Sequence, residues 1–194
     1  MQLGDFSRVV HKTLRALPYQ RYLAAAWIIT CELDELYSPA TPPAWRPLTA
    51  DSLTTLRFAV ERGADEVTAE ANAVFWRWCV AMGYEGGDTD DIQPFDSPLP
   101  SGHTNLWFAW MGLMAELGGE APRSSGLDPA MRAVTMYDPH LGPMEPISSQ
   151  SNGMVFSVRM LRSFLQLAEV LGNTPGDDPM DMDALREQVF RQLA

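Results

Sequence analysis

A chain of 194 residues with 46% hydrophobic and 20% charged side chains lies in the globular range, and is long enough to bury a core without disulfide or metal staples. Its 25 Asp and Glu outnumber 14 Lys and Arg, giving a formal net charge of −11, and Lys12 is the only lysine. That balance argues against a nucleic acid or an anionic membrane as partner, since both are bound by neutralising phosphates with cations, whereas a basic protein would be attracted and steered.

The N-terminal residues Asp5, Arg8, His11, Lys12 and Arg15 break any apolar core that a secretory signal would need, and the longest apolar run, Tyr22 to Ile29, is under half a membrane span. A cytoplasmic protein is expected. The bias to arginine, alanine and proline points to a GC-rich bacterial genome. Phe6, Val9, Val10, Leu14 and Leu17 predict a first amphipathic helix that ends near Leu17, because the residue before Pro18 is pushed out of the helical region. From Pro18 to Tyr37, Tyr19, Tyr22, Leu23, Ala26, Trp27, Ile29, Leu33 and Leu36 recur at helical spacing. Arg21, Ile28, Glu32 and Glu35 fall on another face.

Ser38 to Leu48 carries Pro39, Pro42, Pro43 and Pro47 and predicts an extended connection with Trp45 in its middle. From Thr49, capped by Thr49 or Asp51, the positions Leu53, Leu56, Val60, Val67, Ala71, Val74, Trp78 and Met82 keep one phase. The phase runs through Gly63, which predicts one helix of roughly thirty residues, a helical glycine costing only about 1 kcal/mol. Tyr84 to Gly102 has no usable period, and an irregular connection of roughly twenty residues is uncommon and often functional.

Leu106, Trp107, Phe108, Trp110, Met111, Leu113, Met114 and Leu117 are apolar nearly all round, which places their helix in the core or at an interface, and Gly118-Gly119 stops it. Asp128-Pro129 starts a short helix to about Tyr137, with the aspartate as N-cap. Asp138 to Gln150 is a second irregular stretch. Ser151 or Asn152 caps a long helix with two apolar stripes that ends at Gly172-Asn173, and a final helix begins near Asp181. No strand alternation and no repeat occurs. The expected fold is all-α: a single domain over residues 1–194, a bundle of six to eight helices with long irregular loops.

The acids Asp88, Asp90, Asp91 and Asp96 cluster in the long loop, with His103 at its exit. Asp-x-Asp opens many calcium loops, but the glycine due at the sixth position and the glutamate due at the twelfth are Gln93 and Leu99. A docking surface for basic groups is the preferred functional reading of this loop, with Phe95 and Trp45 as aromatic anchors. Glu32 and Glu35 have the helical spacing of paired carboxylates in metal-dependent hydrolases, and Glu66 and Glu70 are the nearest second pair. His11, His103 and His140 lack metal spacing, no Gly-x-Ser-x-Gly elbow or phosphate-binding loop is present, and Cys31 and Cys79 read as buried thiols.

The sequence therefore predicts a non-catalytic acidic protein that binds a basic protein, such as a bacterial antagonist or immunity protein that neutralises a toxin. The expected binding residues are Asp88, Asp90, Asp91, Phe95, Asp96 and Trp45, with no cofactor. One alternative is a metal-dependent all-α hydrolase using Glu32, Glu35, Glu66 and Glu70 or the Asp88–Asp91 loop. Another is a helical regulatory or oligomerisation module that presents the Trp107–Met114 face to a copy of itself.

Overall fold

The helical periodicities become eight α-helices in a computed structural model, which describes residues 3–83, 101–135, 150–174 and 180–190. In chain order they are α1 (Leu3–Arg15), α2 (Tyr19–Tyr37), α3 (Arg46–Arg62), α4 (Thr68–Ala81), α5 (Ser101–Leu117), α6 (Leu127–Thr135), α7 (Gln150–Asn173) and α8 (Met182–Phe190). Short 3₁₀ turns follow α2 (Ser38–Ala40) and precede α4 (Ala64–Val67), and no strand occurs among the described residues. The fold is the expected all-α bundle. None of its described helices is long and apolar enough to cross a membrane.

The centre of the bundle is α2. Every residue from Arg21 to Cys31 is buried, and α1, α3, α5, α6, α7 and α8 all pack against this helix. The amphipathic face expected for it is thereby corrected: Arg21 and Ile28 are as deeply enclosed as Leu23 and Ile29. Ala24, Ala25 and Ala26 let neighbours approach closely, and Thr30 enters the core because its hydroxyl donates to the Ala26 carbonyl at 2.7 Å. Trp107, Trp110, Met111, Leu113 and Met114 of α5 are also buried, so the face proposed for oligomerisation belongs to the core.

Two boundaries differ from expectation. The proline-rich stretch is not extended throughout: Ser38–Ala40 form a 3₁₀ turn, and α3 already begins at Arg46 with Pro47 in its first turn, where a missing N–H costs nothing. Neither Thr49 nor Asp51 caps α3; the Thr49 hydroxyl bonds back to the Arg46 carbonyl and Asp51 pairs with Arg77. The thirty-residue helix is also folded in two at Gly63, whose φ of +110° and ψ of 148° end α3. The chain reverses, and α3 and α4 lie antiparallel, with Trp78 Nε1 donating to Ser52 Oγ at 2.8 Å and Arg77 paired with Asp51 at 2.6 Å. The apolar phase survives because both arms turn the same face toward α5.

The α5–α6 turn behaves as its glycines predict. Gly119, at φ +81°, closes α5 with the Glu120 N–H bonded to the Ala115 carbonyl and the Gly119 N–H to that of Glu116. Gly112 and Gly126 let α5 and α6 touch: a Cβ on Gly126 would lie 2.6 Å from the Ala109 carbonyl oxygen, and one on Gly112 2.7 Å from the Ser125 backbone. The short helix begins at Leu127, so Asp128 lies inside its first turn and faces Arg132 at 3.9 Å instead of capping it. The last helix begins at Met182, close to the expected Asp181, which caps it by accepting the Ala184 N–H at 2.9 Å.

Two glycine substitutions separate these effects. Gly63→Ala meets nothing within 4 Å and strains only the backbone, for an expected loss of about 1–3 kcal/mol. Gly126→Ala drives a methyl into backbone, for about 3 kcal/mol or more. Denaturant titration of both variants checks this order, and a larger loss at Gly63 would contradict the geometry.

Candidate functional site

Of the residues expected to bind a partner, Asp88, Asp90, Asp91, Phe95 and Asp96 lie outside the described residues. Trp45 is described and half-buried. Its ring sits 4.0 Å from that of Trp107 and meets Trp78 edge-on at 6.0 Å, so the indole covers the edge of the core where α3 begins.

The carboxylates proposed as metal ligands do not converge. Glu32 accepts from Arg186 Nε at 2.6 Å, and Glu35 binds the same guanidinium, which fastens α8 to α2. Glu66 and Glu70 sit at the α3–α4 turn instead, and no group of three or more His, Cys, Asp or Glu side chains suited to a metal occurs among the described residues. Cys31 and Cys79 are buried and unbonded, with burial raising the Cys31 thiol to about 12.

Charge is unevenly divided along the chain. The described residues hold 13 Lys and Arg against 16 Asp and Glu, a net of −3, while the other segments hold Arg191 against nine carboxylates, a net of −8. On the helices most acids are matched: Arg57 bridges Glu61 and Asp183, Arg77 holds Asp51, and Arg186 holds Glu32 and Glu35. Unmatched acids include Asp34, Glu169 and Asp181, and a group of them gathers at the tip of the α3–α4 hairpin. Asp65, Glu66 and Glu70 are exposed there, and no described cation stands within ion-pairing distance of them. The 3₁₀ turn carrying Asp65 and Glu66 packs against α5, and Asn72 Nδ2 donates to Glu120 Oε1 at 3.3 Å, bringing a fourth exposed carboxylate to the same end. Part of this cluster serves the helix itself, since acids in the first turn of α4 complement its dipole by about 0.3–1 kcal/mol each.

The tip is held rigidly from behind. Gln20 Nε2 donates to the Ala59 and Val60 carbonyls at the end of α3. Deeper, the Glu116 carboxylate is buried, and its Oε2 accepts both the Tyr22 hydroxyl and the Ser124 N–H at 2.8 Å. Ser124 holds φ +71°, and the Arg123 guanidinium lies over the rings of Tyr19 and Tyr22 while donating to the Leu17 carbonyl. Burial raises the Glu116 carboxyl above the usual range despite those donors. Burial and the adjacent Glu116 lift Tyr19 to about 12. This carboxylate was not singled out in the sequence; a lone glutamate in an otherwise apolar helix, between Ala115 and Leu117, was its only signal.

At the other end of α2 an open cleft of about 430 Å³ is lined by Asp34, Ser38, Thr41, Arg46 and Thr49 among others. Its hydroxyls are satisfied internally: Thr49 bonds to the Arg46 carbonyl, Ser38 to that of Glu35, and Thr41 to that of Tyr37 and to His103 Nε2 at 3.0 Å. His103 is fully enclosed between the rings of Tyr37 and Trp107, and burial lowers its pKa to about 4. It tethers the start of α5 to the turn after α2 and stays neutral at pH 7, a structural role that leaves it little basicity for catalysis.

The two buried groups predict opposite pH effects. A depressed histidine pKa means that the unfolded chain binds the extra proton first. The His103 contribution is therefore complete above pH 6.5 and lost as pH falls toward 4. Thermal melts across that window should show a shallower decline for His103→Phe than for the parent chain. Glu116 has the reverse sign: its raised pKa makes its contribution greatest at low pH and lost as pH rises through the folded value. Glu116→Gln keeps an acceptor for Tyr22 and Ser124 and should be near neutral in stability at pH 7. Glu116→Ala orphans both donors and should cost about 1–3 kcal/mol. Equal losses for Gln and Ala in denaturant titration would remove the hydrogen bonds from the account.

Compared with protein-family models, with curated proteins and with solved structures, the chain has no match, so its functional reading rests on its own residues.

Proposed function

We propose that this chain is a non-catalytic, acidic protein-binding protein that captures a basic partner through carboxylates held on a helical scaffold, in the manner of an antagonist that neutralises a toxin. The observation that carries the reading is the hairpin tip, where Asp65, Glu66 and Glu120 are exposed and no described cation pairs with them, while most other helical acids have an arginine. Carboxylates without an internal counter-ion are available to an incoming guanidinium or ammonium group. The backbone beside the tip is anchored by Gln20 at the end of α3, which limits the conformational entropy lost on binding. Opposed potentials would accelerate encounter and set register more than they raise affinity.

Asp88, Asp90, Asp91, Asp96 and Phe95 belong to the proposal on sequence grounds. In sequence they follow the C-terminal end of α4, whereas the tip precedes its N-terminal end. The two acidic sets lie in separate stretches of sequence and can be changed by separate substitutions.

The test is binding to the product of the adjoining reading frame, where an antagonist's target is commonly encoded. Affinity should fall steeply with salt, as the screening length shrinks from about 10 Å at 0.1 M to about 3 Å at 1 M. The triple change Asp65→Asn, Glu66→Gln, Glu120→Gln should lower the association rate about tenfold at low salt. Binding that is indifferent to salt and to both sets of carboxylates would defeat the proposal.

A further inference from the structure

The outer face of α4 has a pattern that the acidic reading does not use. Its inner positions Ala71, Val74, Phe75, Trp78 and Cys79 are buried, while Ala69, Ala73, Trp76 and Val80 run along the exposed side at steps of four, three and four. That spacing is a coiled-coil seam. Two of its members are large and apolar: Trp76 is 40% exposed, with its ring against Phe75, and Val80 is 68% exposed. Glu70 and Arg77, seven residues apart, flank the seam on one side.

We propose that this face is self-complementary and joins two copies of the chain, α4 against α4, about a twofold axis. Antiparallel packing centred between Ala73 and Trp76 sets Ala73 opposite Trp76 of the second copy, and Ala69 opposite Val80 of the second copy. Each large side chain then meets a small one, and the axis makes every such pair occur twice. The same register brings Glu70 beside Arg77 of the second copy, and again in reverse. Arg77 remains within reach of Asp51 in its own chain, so its guanidinium would sit between two carboxylates. Packing small against large and positive against negative along one helix favours a copy of this helix over a partner of uniform charge.

The contact is modest. Two helices of this length bury less than the roughly 1,200 Å² of a standard stable interface, so the dimer is a reversible one that forms with rising concentration. It uses the helix flank, shares only Glu70 with the hairpin tip, and leaves Asp65, Glu66 and Glu120 to partner capture.

Sedimentation velocity on the full chain, from low to high micromolar, is the test. The parent should shift from monomer to dimer, and Val80→Asp, on a mostly exposed position, should stay monomeric with an unchanged melting temperature. Glu70→Arg and Arg77→Glu each place like charges across the axis and should weaken self-association about tenfold. An equimolar mixture of the two variants restores opposite charges at both positions and should recover the dimer as a heterodimer, which a general loss of structure would not do. A chain monomeric throughout, a dimer untouched by Val80→Asp, or a mixture no tighter than its components would overturn the proposal. So would a monomer in which Val80→Asp abolishes binding of a different protein.

Discussion

Burial of α2 on every side from Arg21 to Cys31 is the constraint on which the rest of the structure depends. Packed by six other helices, that stretch keeps no solvent face, and its hydroxyls turn to internal partners. Thr30 bonds to its own helix, Tyr22 reaches the Glu116 carboxylate and Tyr37 donates to the Ala133 carbonyl at 2.7 Å. The run of three alanines makes the crowding possible, because bulkier side chains there would hold the surrounding helices apart.

The same enclosure explains where ionisable chemistry went. Glu116 and His103 are the buried titratable side chains facing into this core from α5, and each is committed to holding a turn in place. Glu116 orders the strained Ser124 turn, and His103 binds the Thr41 turn. Desolvation pushes both toward their neutral forms, which suits a scaffold better than a proton-transfer site. At the surface, Arg186 locks Glu32 and Glu35 onto α8, turning the best-spaced carboxylate pair in the sequence into a clamp between helices.

What remains outward-facing differs between the two ends and the flank of the α3–α4 hairpin. The tip is acidic because the 3₁₀ turn and the start of α4 collect carboxylates where the helix dipole favours them. The flank of α4 is mixed, with two small apolar groups followed by two large ones beside one acid and one base. A protein whose described residues carry a net charge of only −3 out of −11 has most of its charge excess in the remaining segments, so its net charge and its helical surfaces are separable properties.

Much of the fold was legible in the residues. Helical spacing, Pro18, Gly118-Gly119 and Asp181 are local signals, and local signals identified the all-α class and most helix ends. The fold in α3–α4 was also written locally, in Arg62-Gly63 as a helix stop and Asp65, Glu66 and Thr68 as a restart, but hydrophobic phase is blind to a reversal when both arms face one core. Other features had no local signature. The meeting of Glu32 with Arg186 spans 154 residues, that of Tyr22 with Glu116 spans 94, and that of His103 with Thr41 spans 62. The sequence by itself determined composition, net charge and helical class, because these are sums or short-range periods. Only the tertiary structure decided which acids are neutralised, which helix is central and which face of α4 looks outward, because each depends on what the chain brings alongside from far away.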